Sequence, residues 1–156
     1  MEDENPLMEY CDLIDDYLPL DHEFFLYDSE FKMAESFLGL AIAEAKNIEE
    51  TRELLDILDT LNSHIYDGDT VLSDEIRKSL RHYNKEWIDA KEKMNSGNTY
   101  TANLIMAAAH TRLMLAHLYK LKNMDQFKDF VDDYTLEFLG KLINKMLNVA
   151  MGDVLL

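Results

Sequence analysis

Apolar residues recur at every third or fourth position through most of this chain, the spacing that gathers side chains on one face of an α-helix. The clearest run is Ile76, Leu80, Tyr83, Trp87, Ala90 and Met94, with Lys78, Lys85, Glu86, Lys91 and Glu92 on the opposite, solvated face. Phe24, Phe31, Ala34, Leu38, Ala41 and Ala45 make a second run, and Leu54, Leu58, Leu61 and Ile65 a third. Phe127, Val131, Tyr134, Phe138, Leu142 and Val149 make another near the C-terminal end. No convincing two-residue alternation marks a sheet, and no repeat of fixed period is present. Five Gly and two Pro among 156 residues leave too few turn formers for an all-β fold.

The pattern predicts an all-α protein, a five- or six-helix antiparallel bundle with helices at about 4–17, 22–46, 48–65, 73–94, 100–121 and 124–149. Pro19 stops the first of these. Asn47 with Glu50 three residues on reads as a capping box, Ser73 as a second cap and Asn123 with Gln126 as a third. The segment YDGDT at 66–70 is the clearest turn inside the chain, and Asn95-Ser-Gly-Asn98 closes another helix. The most apolar stretch, LIMAAAHTRLMLAHLY at 104–119, is shorter than a membrane span and interrupted by two His and one Arg. It predicts a central apolar helix at about 100–121, buried in the bundle or lying at the seam of a homodimer. A mass of 18.2 kDa fits one helical-bundle domain over residues 1–156.

Charge divides the chain. Thirty-one acids against fifteen bases give a net charge of −16, but residues 1–50 hold fifteen acids and two bases. Residues 101–156 hold six of each. The imbalance opposes free nucleic acid and anionic membrane surfaces at the N-terminal half, and much less so at the helix around 100–121. It favours docking on a basic protein surface through Asp12, Asp15, Asp16, Asp21, Glu23, Asp28 and Glu30. Nucleic-acid mimicry, with carboxylates occupying a phosphate-binding groove, is a special case. On this reading the chain is an acidic interaction or regulatory protein rather than an enzyme. The lone Cys11, the lack of a CxxC pair and an N-terminus without basic and apolar signal regions indicate an intracellular, cytoplasmic setting.

Chemistry-bearing patterns are few. A di-metal bundle needs Glu-x-x-His turns, yet His22, His64, His82, His110 and His117 follow Pro19, Leu61, Ser79, Ala107 and Met114 at that spacing. No metal site or cofactor is expected, and no phosphate loop, dinucleotide fingerprint or calcium loop is present. His110 and His117, two helical turns apart, are too far apart to share one ion and are expected to hydrogen-bond across the bundle. Arg112, inside an apolar helix, calls for a paired carboxylate.

The run Arg112-Leu-Met-Leu-Ala-His117-Leu-Tyr119 resembles the Arg-x4-6-His motif of the HEPN superfamily, helical domains that include dimeric toxin ribonucleases. The resemblance covers eight residues and departs from the family's usual pattern at Leu113, where a polar residue is typical. It implies an alternative function, a metal-independent endoribonuclease. Arg112 and His117 would be its catalytic pair, completed across a dimer interface, with Tyr119 beside them.

Overall fold

The computed structural model describes residues 7–83 and 98–155, and it is mostly helical. A β-hairpin, β1 (Met8–Cys11) and β2 (Asp16–Pro19), precedes five helices: α1 (Glu23–Glu44), α2 (Ile48–Tyr66), α3 (Asp74–Leu80), α4 (Thr99–Lys122) and α5 (Asp133–Leu155). The four long helices form a ring in the order α1, α2, α5, α4, each packed on two neighbours, while short α3 touches α5. Cross-helix pairs run in opposite directions around the ring: Tyr27 with Asn62, Glu53 with Lys145, Thr111 with Met146, and Glu23 with His117. Every adjacent pair is therefore antiparallel. α2 and α4, on one diagonal, point the same way.

Local chemistry explains the starts and stops. His22 caps α1 by accepting the Phe24 N–H at 3.0 Å. Asn47 caps α2 by accepting from Glu50, as the capping signal predicts, and Ser73 caps α3 by accepting from Ile76. Asn98 caps α4. The 66–70 segment turns on Asp67, whose carboxylate accepts the Asp69 N–H and the Thr70 hydroxyl. One hydrophobic cluster gathers Cys11 and Leu18 of the hairpin with side chains of all five helices.

Three expectations need correction or refinement. Where a helix is expected over 4–17, residues 8–19 form the hairpin instead. Its Asp12–Asp15 loop turns on Asp15, which adopts φ 51°, a left-handed conformation that Asp tolerates better than most residues. Second, the helix expected from 124 begins only at Asp133. Residues 124–131 make successive turns, with Phe127 N–H donating to Met124 and Phe130 N–H to Phe127, both at 2.9 Å. The cap of α5 is Asp132, which accepts both the N–H and the hydroxyl of Thr135, not Asn123. Third, the apolar helix is α4, packed between α1 and α5 but exposed along one stripe, whereas α5 is enclosed on all sides over residues 138–147. Hydropathy hides that enclosure because Lys141 and Lys145 interrupt it. Lys141 Nζ donates to the Tyr83 carbonyl at 2.9 Å, and Lys145 pairs with Glu53 at 2.5 Å. Of the predicted helix over 73–94, α3 covers the start, and Trp87, Ala90 and Met94 lie outside the described residues.

Where α2, the following turn and α5 meet, the buried His64 ring bridges two acceptors. Nδ1 lies 2.8 Å from the Thr70 carbonyl and Nε2 lies 2.8 Å from Asp132 Oδ2. Burial raises the Asp132 carboxyl, but hydrogen bonds from His64 and Thr135 outweigh it and hold the group below its ordinary value.

Candidate acidic docking surface

The hairpin is anchored on one side and open on the other. Cys11 and Leu18 are buried, with Leu13 and Ile14 packed partly against the core. The Tyr66 hydroxyl at the end of α2 donates to Asp12 Oδ1 at 2.7 Å, tying the loop to the bundle. Cross-strand partners Tyr10 and Tyr17 meet edge to face at 5.6 Å, and the Tyr10 hydroxyl donates to Asp15 Oδ1 at 2.6 Å. Asp16 accepts the Tyr17 N–H at 2.7 Å. Desolvation first, then the Asp12 carboxylate, pushes the Tyr66 phenol well above its usual value, so it stays a donor.

The seven predicted docking acids separate into two sets. Asp12, Asp15, Asp16 and Asp21 are exposed on the hairpin and its exit, and among the described residues no cation pairs with them. The three on α1 are committed elsewhere. Asp28 pairs with Lys32 at 2.7 Å, Glu30 accepts from His110 at 2.5 Å, and Glu23 meets His117. The last two contacts are rungs between antiparallel helices: Glu23 and Glu30 are seven residues apart, and so are His110 and His117. That shared spacing was present in the sequence and could have matched each pair. Exposed Leu7, Met8, Tyr10, Tyr17 and Leu20 lie on the same hairpin and its flanks as these four carboxylates, a mixture of acidic and apolar surface suited to a protein partner.

The three residues of the Arg-x4-His motif do not converge within one chain. Arg112 and Tyr119 are exposed and line an open cleft between α4 and α5 with Leu115, Asp133, Leu136 and Glu137. His117, five residues from Arg112 and so about 140° away around the helix, faces α1 and Glu23. Two carboxylates on the far wall of the cleft oppose a phosphate there. Among the described residues, no three His, Cys, Asp or Glu side chains gather as a metal site would require, and no helix is long and apolar enough to cross a membrane.

Acidic chemistry also appears at the seam between α1 and α2, where Glu35 stands beside Asp59. Burial first and the Asp59 carboxylate second push Glu35 up to about 7. Because the folded value lies above the unfolded one, this group's contribution to stability is complete below pH 4.5 and is lost as pH rises toward 7. Glu35→Gln is therefore expected to stabilise the protein at pH 8 by about 1 kcal/mol, allowing for solvent screening, and to change little at pH 4.5. Urea unfolding at the two pH values reads the difference. An equal effect at both would rule out burial and Asp59 as the cause of a raised Glu35 carboxyl.

A family model described as a domain of unknown function (DUF1940) matches residues 10–152. No curated protein matches the chain.

Proposed function

For this chain, which belongs to the family described as a domain of unknown function (DUF1940), we propose a non-catalytic role as a regulatory interaction module that docks its acidic hairpin on a basic protein surface. The observation that carries this reading is the set Asp12, Asp15, Asp16 and Asp21, four exposed carboxylates with no cation partner among the described residues, on an element braced by Tyr66 and two buried side chains. Bracing lowers the ordering cost of binding. The unpaired charge supplies steering toward a cationic groove. Where that groove normally holds phosphates, the hairpin acts as a nucleic-acid mimic. A reducing, cytoplasmic setting suits the module, since the enclosed Cys11 thiol has no disulfide partner. The ribonuclease alternative would need an Arg112 and His117 pair assembled between chains, with His117 released from Glu23.

The test compares wild type with a variant carrying Asp12→Asn, Asp15→Asn, Asp16→Asn and Asp21→Asn, which keeps the hydrogen-bond acceptors and removes the charge. With the dominant captured partner, the association rate is expected to fall by about 10-fold or more at low salt, and wild-type binding to weaken steeply as salt rises. Equal binding by both proteins without salt dependence would overturn the docking surface. RNA cleavage lost in His117→Ala with the fold intact would replace it with the catalytic reading.

A further inference from the structure

On the side of α1 away from the α2 seam, Leu26, Met33 and Leu40 stand in a row, seven residues apart. The neighbouring helix α4 shows Met106 and Leu113 in the same register, flanked by exposed Ala102, Ala109 and Ala116. Each of the five large side chains is between 41% and 52% exposed. Two adjacent antiparallel helices thus present one flat apolar face. Small residues between larger ones let another helix pair approach closely. Down the middle run the two rungs, Glu23 with His117 and Glu30 with His110, and Phe37 stacks on His110 at 5.4 Å. The polar groups at the centre are thus already partnered within the chain.

We infer that this face is the interface of a homodimer, in which α1 of one copy lies on α4 of the other and the four helices form a second, intermolecular bundle. Charge selects this occupant and arrangement. On this face α1 carries Glu23, Glu30 and Glu44 and no cation, whereas α4 carries Lys120, and Thr99–Lys122 contains no Asp or Glu. A two-fold axis along the helices sets each acidic helix on a basic one. Leu26 then opposes Leu113 of the other copy and Met33 opposes Met106. Glu44 reaches the N-terminal end of the opposing α4, where the helix dipole favours an anion, and Lys120 faces the Glu23 end of the opposing α1. The perpendicular axis would place α1 on α1, acid against acid. α1, at 22 residues, is about 33 Å long. Two helices about 9–10 Å apart give a footprint on the order of 600 Å² per copy, or about 1,200 Å² in all, at the lower bound of specific interfaces.

Sedimentation velocity on the full chain, from 1 to 100 µM, is expected to give twice the 18.2 kDa monomer mass. Leu113→Glu, at an exposed position, is expected to weaken self-association about 100-fold or more with the thermal midpoint nearly unchanged. In an oxidised mixture of Leu26→Cys and Leu113→Cys proteins, the disulfide is expected between the two variants and not within either alone. Cys11, being buried, does not compete. A wild type that stays monomeric at 100 µM overturns the dimer, as does a dimer indifferent to Leu113→Glu. Dominant linkage of Leu26→Cys to itself overturns the arrangement.

Discussion

Phe127→Ala is expected to cost about 3–5 kcal/mol, the range for emptying a fully buried aromatic site. The ring is 0% exposed, stacks on Phe24 at 5.9 Å and 19°, and lies 5.5 Å from His22. It therefore joins the turns between α4 and α5 to the first turn of α1. Those two rings cannot close over the cavity without disturbing the bond from the Phe24 N–H to His22 that caps α1. At about 2–4 °C per kcal/mol for a chain of this size, the thermal midpoint should fall by roughly 6–20 °C. Phe127→Leu, which keeps much of the volume, should lose less than half as much. A midpoint shift under 3 °C for the alanine variant would show that the site collapses or was never packed.

Phe127 also illustrates what periodicity reveals. Its inward direction is legible because it lies in step with Val131, Tyr134 and Phe138, yet the segment holding it is not a continuing helix. Successive hydrogen-bonded turns repeat nearly every three residues, so they keep apolar side chains inward much as a helix does. The real boundary depends on Asp132 competing for the Thr135 N–H, a choice fixed when α5 folds back along α4. Asn47, Ser73 and the turn at Asp67 were legible because a local side chain decides each one. The hairpin was not. Its strands are four residues long and their burial does not alternate: only Cys11 is buried in β1 and only Leu18 in β2. Helical spacing is easily matched in so short a stretch.

The docking acids were legible as a charge imbalance but not as a surface. Sequence alone groups Glu23 and Glu30 with Asp12 and Asp15, because it counts carboxylates without their partners. Folding brings His117 and His110 against the first two and, among the described residues, sets no cation against the hairpin set. What decides is which helix becomes the neighbour of α1, a long-range fact. The apolar stripe on α4 follows the same logic: a run rich in Ala, Leu and Met reads as central until the ring of four helices leaves one side of it uncovered.

His64→Ala is expected to destabilise the fold by about 3 kcal/mol, more than any surface substitution, because the ring closes three elements at once. Its nitrogens hold the Thr70 carbonyl and the Asp132 carboxylate, and its face lies 4.7 Å from Tyr134. Both partners are acceptors, so an N–H on either ring nitrogen has an oxygen to receive it. One charge-assisted hydrogen bond contributes about 1.5–3 kcal/mol, and the lost packing adds to it. Asp132→Asn separates these parts. Asn caps a helix about as well as Asp, so α5 keeps its start while the bridge loses its anion. A loss of about 1–2 kcal/mol is expected for that variant at pH 6. With the Asp132 carboxyl held below its ordinary value in the fold, the unfolded chain binds that proton more readily. Its contribution is therefore present above about pH 4 and disappears as pH falls through the lowered folded value. The gap between wild type and Asp132→Asn should narrow from pH 6 to pH 3 in denaturant unfolding. A gap of constant size across that interval would mean that the carboxylate charge does nothing for the bridge, leaving the Thr70 contact and packing against Tyr134 to account for the effect of His64→Ala.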